Sequence, residues 1–182
     1  MTSVTKPHVE KLAPRHPVAA FDCGVEALNQ FLCRYALQNQ KKDGAQTWVA
    51  LSAERLIGYY TLVVGEVSHA AAPDALRKGL SKHPVPVMVL ARLAVDTEFK
   101  GQKIGQGMVR DAMLRTINAA EIAGIHALLV HAKDENASAF YTHLGFEPFP
   151  DEPLTLYRLL KDIRAMLQVA DSHKDKAADD KA

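Results

Sequence analysis

The chain has 182 residues, of which 48% are hydrophobic and 24% are charged, and its formal net charge is +1. This size suits one domain, and the composition is that of a soluble globular protein. The small net charge excludes a strong overall attraction to nucleic acid, so any such binding requires a local patch. No apolar run reaches the roughly 18 residues of a membrane span, and the first twenty residues contain no apolar segment typical of a signal peptide. We therefore expect a cytoplasmic protein that does not contact membranes.

The first elements alternate between extended and helical patterns. Three prolines in residues 1–20 predict an edge strand or extended arm. Residues 24–41 then predict an amphipathic helix that Asp22 caps. The apolar face of this helix comprises Val25, Leu28, Leu32, Tyr35 and Ala36. Residues 47–52 and 56–68 are typical of two strands in an antiparallel hairpin.

Two cysteines, Cys23 and Cys33, lie ten residues apart at and within the predicted helix. This arrangement argues against a disulfide framework and against a metal site. We expect both to be buried, unreactive thiols.

The second half of the chain begins with a cationic segment, residues 71–82, which predicts a short helix or loop. Its cations Arg77, Lys78 and Lys82 are either a solvated surface or a patch for an anionic partner. Two strand-helix units follow, which imply parallel strands with helices packed on a sheet. The predicted elements are strand 87–95, a helix from Ile104 to about Ala123, strand 126–131, helix 137–143, strands 146–149 and 154–159, and helix 161–168. The tail from Val169 is predicted to be disordered.

A glycine-containing turn joins the strand at 87–95 to the helix that follows it. The first N–H groups of a helix have no partner within the helix, so this turn can bind a phosphate group. Alternatively, the glycines serve only a tight turn with positive φ. The turn lacks the P-loop pattern and the full G-x-G-x-x-G spacing of dinucleotide folds. Its residues are Lys100, Gly101, Gln102, Lys103, Ile104, Gly105, Gln106 and Gly107.

The ARLAVD strand, the glycine turn and the NASAFYTHLGF segment together resemble the GNAT superfamily of acetyl-CoA-dependent N-acetyltransferases. The phrases FDCGVEALNQFL, YALQNQ, LLVHAKDENASAFYTHLGF and PDEPLTLYRLLKDI are more specific, since they resemble the GNAT-type toxins of type II toxin-antitoxin modules. The resemblance covers about residues 8–168. It implies an α/β GNAT fold, with a mixed, mostly antiparallel sheet that contains a splayed parallel pair and is flanked by helices. We accordingly expect one acetyltransferase domain over residues 1–168 and a disordered tail over residues 169–182.

The resemblance also implies an activity. Such toxins move acetyl from acetyl-CoA to the α-amine of aminoacyl-tRNA and thereby block translation. A ribbon-helix-helix antitoxin restrains them, operator DNA is bound only through the antitoxin complex, and the toxin is a homodimer.

Site residues follow from the same resemblance. Tyr141 matches the tyrosine that protonates the departing thiolate. The cofactor contacts implied are Leu93, Ala94 and Val95 of the central strand, the turn from Lys100 to Gly107, Asn136 and Phe140. The candidate tRNA-facing cations are Arg77, Lys78, Lys82 and Arg92, and no metal is implied.

The turn departs from the pattern that is usual in the superfamily. Aligned from the strand, Lys100 stands where Arg or Gln is usual, and Lys103 stands where Gly is usual. A reading from Gln102 through Gly105 and Gly107 restores the pattern but shifts it by two residues. We expect Lys103 to require a negative φ. This departure is the basis of one alternative, a catalytically impaired antitoxin-binding or DNA co-repressor module. The other alternative is an enzyme of the same fold that acetylates a protein N-terminus or a small amine.

Overall fold

The computed structural model describes residues 6–179, with side chains as far as Ser172. It contains a seven-stranded sheet in the order β1-β2-β3-β4-β5-β7-β6, mostly antiparallel with one parallel pair. This mixed sheet, flanked by helices, confirms the predicted fold class. The strands are β1 His8–Lys11, β2 Gln46–Ser52, β3 Arg55–Val67, β4 Val85–Val95, β5 Ala127–His131, β6 Glu147–Pro148 and β7 Thr155–Leu159.

Six α-helices accompany the strands in the described part of the chain. They are α1 Glu26–Gln30, α2 Ala36–Lys41, α3 Asp74–Arg77, α4 Ile104–Ala120, α5 Glu135–His143 and α6 Leu160–Asp179. A π-helical turn, Phe31–Tyr35, joins α1 to α2, and 3₁₀ turns occupy Val18–Ala20 and Thr97–Phe99. Within residues 6–179, no helix is both long enough and apolar enough to cross a membrane.

The chain forms two compact units. The first comprises the chain as far as Gly65 together with Val89–Arg115, and the second comprises Glu66–Met88 together with the chain from Thr116 onward. In the first unit, β1 pairs antiparallel with β2, and β2 pairs antiparallel with β3, which confirms the predicted hairpin and edge strand. The core of this unit comprises Leu12, Phe21, Cys23, Phe31, Leu32, Ala36, Val49, Leu51, Leu56, Tyr59 and Ala94.

The π-helical turn changes which residues of the predicted helix face the core. A π turn contains one residue more than an α turn, so the residues after it rotate relative to an ideal α-helix. Tyr35, which the spacing assigns to the apolar face, is 50% exposed. Cys33 is also exposed, so the prediction of two buried thiols is wrong for Cys33 and holds for Cys23.

Asp22 stabilises the turn before α1 and does not cap the helix. Its carboxylate accepts hydrogen bonds from the backbone N–H of Gly24 at 2.8 Å and from Nδ2 of Asn29 at 2.9 Å. The residue in the cap position is Val25, which makes no side-chain cap. The helix therefore starts two residues later than the sequence predicts.

In the second unit, β7 pairs antiparallel with β6, as predicted, and it also pairs antiparallel with β5. Helix α6 runs to Asp179 and not to the predicted end at Gln168. The helix is thus longer than predicted, and a helix that has already formed extends through Ala and Lys without a new nucleation step. Residues 180–182 of the predicted tail lie outside the described residues.

Gly58 on β3 allows a close approach of its neighbours. A Cβ atom at this position would lie 3.0 Å from the carbonyl oxygen of Ala94 and 2.8 Å from Cε of Met108. We expect Gly58→Ala to lower the free energy of unfolding by about 1–3 kcal/mol, as overpacking does. Urea denaturation measures this change.

Gly124→Ala is the matched control, because a Cβ atom at Gly124 would meet nothing within 4 Å. Equal unfolding free energies for the two variants would contradict the packing that we describe at Gly58.

Candidate active site

The turn between β4 and α4 is anchored by the buried carboxylate of Asp96. This side chain accepts hydrogen bonds from the backbone N–H of Glu98 at 3.0 Å and of Asp22 at 3.3 Å. The N–H of Asp96 donates to the carbonyl oxygen of Ile57 at 2.9 Å, and the guanidinium of Arg55 lies 3.4 Å from the carboxylate. Asp96 therefore fixes the point at which the chain leaves β4. Sequence reasoning missed this role, although an Asp that precedes Thr-Glu after a strand is a recognisable capping signal.

The glycine turn adopts left-handed backbone at two positions. Gly101 has φ +78°, and Lys103 has φ +62°. The expectation that Lys103 takes a negative φ is therefore wrong. The lysine keeps the conformation that a glycine would adopt most easily, and its side chain is exposed.

Helix α4 begins directly after Lys103. The N–H of Gly107 donates to the carbonyl oxygen of Lys103 at 3.0 Å, which is the first turn of the helix. The N–H groups that precede Gly107 have no carbonyl four residues earlier within the helix. A Cβ atom at Gly101 or at Gly107 would meet nothing within 4 Å, so the space beside this turn is open. The turn thus has the chemistry and the room to hold a phosphate.

The two lysines of the turn differ in their contacts. Nζ of Lys100 donates a hydrogen bond to the carbonyl oxygen of Cys23 at 3.0 Å. Lys103 is exposed at the start of α4, and Nε2 of Gln102 lies 3.4 Å from the carbonyl oxygen of Glu98. Lys100 therefore holds the turn against the segment before α1, whereas Lys103 presents its charge beside the helix N-terminus. The turn residues Ile104 and Gly105 are half-buried, and Gln106 is exposed.

The end of β4 contributes the other predicted contacts in the first unit. Ala94 is buried, and Leu93 and Val95 are half-buried. The guanidinium of Arg92 lies over the ring of Phe31, 3.7 Å from its centroid. This cation-π contact holds Arg92 against the π-helical turn.

Helix α5 of the second unit carries Tyr141. The carboxylate of Asp134 caps this helix by accepting the N–H of Ala137 at 2.8 Å. Asn136 is exposed in its first turn, whereas Phe140 is half-buried and Tyr141 is 6% exposed. The ring of Tyr141 makes edge contacts with Phe140 and Phe146, at centroid distances of 5.0 and 5.5 Å.

Burial raises the pKa of the Tyr141 hydroxyl above its ordinary value of 10.0. The hydroxyl therefore keeps its proton at neutral pH and is available as a hydrogen-bond donor or acid.

The cationic segment lies in the second unit around α3. The guanidinium of Arg77 is paired with Asp74 and lies 3.4 Å from the carbonyl oxygen of His69. Lys78 and Lys82 are exposed. Of the three cations predicted in this segment, Arg77 is thus engaged by its own helix, and the two lysines face solvent.

Comparison with known proteins identifies the family. A model described as "Acetyltransferase (GNAT) domain" matches residues 43–148. The chain is also 39% identical over 157 residues to a protein named tRNA-acetylating toxin from Mycobacterium tuberculosis (strain ATCC 25618 / H37Rv), a match that covers 86% of this chain and 94% of the relative. The chain belongs to the GNAT acetyltransferase family. It is an acetyl-CoA-dependent enzyme of this family, as the sequence resemblance implies.

Solved structures of GNAT toxins are similar over most of the chain. A tyrosine-to-phenylalanine mutant of KacT matches with a TM-score of 0.84 at 30% identity, over 89% of this chain and 99% of KacT. AtaT complexed with acetyl-methionyl-tRNAfMet matches with a TM-score of 0.82 at 30% identity, over the same shares of the two chains.

The left-handed backbone of Lys103 should lower the stability of the folded protein. Left-handed backbone costs a non-glycine residue roughly 1–2 kcal/mol, and a glycine costs about 0.5–1 kcal/mol more chain entropy on folding. We expect Lys103→Gly to raise the free energy of unfolding by about 0.5–1 kcal/mol, as the difference between these contributions. Chemical denaturation measures it.

The neighbouring Gln102, which has no positive φ, provides the control. Gln102→Gly adds only chain entropy to the unfolded state, so it lowers the stability. Equal losses at the two positions would show that Lys103 carries no backbone strain.

Proposed function

We propose that this GNAT acetyltransferase is a toxin that transfers acetyl from acetyl-CoA to the α-amine of aminoacyl-tRNA and so blocks translation. The observation that carries the proposal is the 39% identity, across 86% of the chain, to a relative named tRNA-acetylating toxin. The similarity to AtaT in complex with acetyl-methionyl-tRNAfMet supports it independently.

The chemistry of the acceptor agrees with the residues that are present. An α-amino group has a reference pKa of about 7.7–8.0, against about 10.4 for lysine, so it loses its proton near neutral pH without a strong protein base. Acetyl-CoA supplies the acetyl group as a thioester: the amine nitrogen bonds to the carbonyl carbon, the carbon-sulfur bond breaks, and the sulfur takes a proton. The enzyme has to orient the amine, polarise the carbonyl and provide that proton.

We assign these roles to the residues that the sequence resemblance implies. The backbone N–H groups of the turn from Lys100 to Gly107 hold the pyrophosphate of the cofactor. The backbone of Leu93, Ala94 and Val95 holds its acetyl and pantetheine groups, and Asn136 and Phe140 give further contacts. Tyr141 is the acid that protonates the departing sulfur, as the sequence resemblance implies. Residues 1–168 would then act as one acetyltransferase domain.

The conformation of the glycine turn argues against the hypothesis of an impaired enzyme. That hypothesis depended on a lysine at position 103 that could not adopt the glycine conformation. Lys103 has φ +62°, so the backbone of the turn keeps the left-handed geometry that a glycine would give it. An active enzyme is the reading that we adopt.

The partners follow from the relatives. AtaT has been solved with acetyl-CoA and the C-terminus of the antitoxin AtaR, and a KacTA complex has been solved with DNA. We propose that a ribbon-helix-helix antitoxin restrains the present toxin, that DNA is reached only through that complex, and that the toxin is a cytoplasmic homodimer.

The first test of this function is acetyl transfer from labelled acetyl-CoA to charged tRNA by the purified protein. We expect label in the aminoacyl-tRNA fraction, and we expect Tyr141→Phe to lower kcat by about 10²-fold or more, as loss of an acid does. Uncharged tRNA and a peptide with a free N-terminus are the matched acceptors. Transfer to the peptide alone would support the alternative enzyme that acetylates protein N-termini, and no transfer to any aminoacyl-tRNA would refute the proposal.

The exposed lysines near α3 generate a second test. If Lys78 and Lys82 face tRNA, the double change to Glu raises KM for aminoacyl-tRNA by about tenfold, because each lost phosphate contact weakens binding. The KM for acetyl-CoA should stay unchanged. Lys41→Glu with Lys42→Glu, on the other unit, is a control with the same change in net charge. An equal effect of both double variants would indicate a general charge effect and exclude a specific patch at α3.

A further inference from the structure

The C-terminal end of α5 is held by a side chain from outside the helix. Nη1 of Arg158, on β7, donates a hydrogen bond to the carbonyl oxygen of Leu144 at 2.5 Å. Leu144 is the residue at which α5 ends, so its carbonyl belongs to the group that lacks a partner within a helix. A cation in this position also interacts favourably with the helix dipole.

Gly145 makes this contact possible. A Cβ atom at Gly145 would lie 2.8 Å from Cζ and 2.9 Å from Nη1 of Arg158, closer than real Cβ atoms approach. Gly145 also has φ +91°, a backbone conformation that is strained for any residue with a side chain. The guanidinium therefore occupies the space in which any other residue at position 145 would place its side chain.

The segment that Arg158 holds is also the segment that packs on Tyr141. The carbonyl oxygen of Tyr141 accepts the N–H of Leu144 at 3.0 Å and the N–H of Phe146 at 3.1 Å. The ring of Phe146 is 2% exposed and meets the ring of Tyr141 edge-on at 5.5 Å. Any movement of Leu144–Phe146 therefore moves both the backbone hydrogen bonds and the aromatic contact of Tyr141.

The hydrogen bond to the carbonyl oxygen of Leu144 is the contact that an apolar side chain at position 158 could not make. Arg158 is half-buried, and desolvation lowers its pKa, which shows that its charge is held at a cost. An apolar side chain of similar length would fill the space against Met166 without that cost. What the arginine adds is a directed hydrogen bond to the end of the helix that carries Tyr141.

We propose that Arg158 is a positioning residue for Tyr141: its guanidinium fixes the Leu144–Phe146 segment and thereby the orientation of the Tyr141 hydroxyl. This inference rests on the proposed function of Tyr141 as the acid. Arg158 lies on β7, and the sequence resemblance implied no role for it.

A double-mutant cycle on acetyl transfer tests the inference. Arg158→Met keeps the apolar stem and removes the donor, and it should lower kcat by about tenfold, since small misplacements of a catalytic group are costly. KM for acetyl-CoA should stay within about twofold, because the cofactor contacts are not altered. Arg158→Lys keeps a donor and should recover part of the loss.

The decisive comparison adds Tyr141→Phe to Arg158→Met. If Arg158 acts through the hydroxyl, the double variant is no slower than Tyr141→Phe alone, because no hydroxyl remains to be positioned. Losses that multiply, or an unchanged kcat in Arg158→Met, would overturn the inference. Arg164→Met is the control, since the side chain of Arg164 is 45% exposed and lies 3.8 Å from the carboxylate of Glu121; its kcat should match the wild type.

The outcomes separate the two proposals. If Tyr141→Phe keeps wild-type activity, the assignment of the acid fails, whatever Arg158 does. If Tyr141→Phe is slow but the losses multiply, only the positioning role fails. If Arg158→Met does not fold, Arg158→Lys is compared in the same cycle: a kcat loss that disappears in the Tyr141→Phe background supports the role, and a loss that persists there overturns it.

Discussion

The buried carboxylate of Asp96 is the group on which the geometry of the first unit most depends. A carboxylate that is 2% exposed is tolerated only if it is hydrogen-bonded and paired, and Asp96 receives two backbone N–H groups and lies near the guanidinium of Arg55. These contacts join the end of β4, the 3₁₀ turn and the segment before α1. The chain consequently leaves β4 in a fixed direction, and α4 begins where its first N–H groups face open space.

In the second unit, the C-terminus of a helix is stabilised by a side chain from another element. In the first unit, the N-terminus of α4 lies beside open space, since a Cβ atom at Gly101 or Gly107 would meet nothing within 4 Å. In the second, the C-terminus of α5 is closed by Arg158 and by the glycine at position 145, which has φ +91°. The role that we propose for Tyr141 requires its side chain to be held within about 0.5 Å of its working position. The surroundings of Tyr141 supply aromatic packing and two backbone hydrogen bonds, and Arg158 secures the segment that provides them.

The pattern of the sequence predicted most elements because the physical signals are local. Alternating and helical spacing of apolar residues located the hairpin, β4, α4, β5 and α5, with ends that differ by a few residues. The spacing of apolar residues gave wrong predictions where the helix departs from ideal α-helical geometry. Tyr35 lies in a π turn and is exposed, although ideal spacing places it on the apolar face. The helical end of α6 was missed because a polar tail resembles a disordered one in composition.

Lys103 marks the limit of reasoning from residue preference. A lysine favours negative φ, yet Lys103 is left-handed between the 3₁₀ turn Thr97–Phe99 and the first residue of α4. Asp96 and Arg158 show the same limit, since the sequence contains both residues but does not show which groups they contact. Residue types and short spacings were sufficient to identify the family, the order of the elements, the glycine turn between β4 and α4, and the tyrosine on α5, because these features are local in the sequence. The conformation of the turn, the contact of Asp96 with the segment before α1 and the contact of Arg158 with the end of α5 became visible only in the tertiary structure, because these contacts join different elements, 74 and 14 positions apart in the chain.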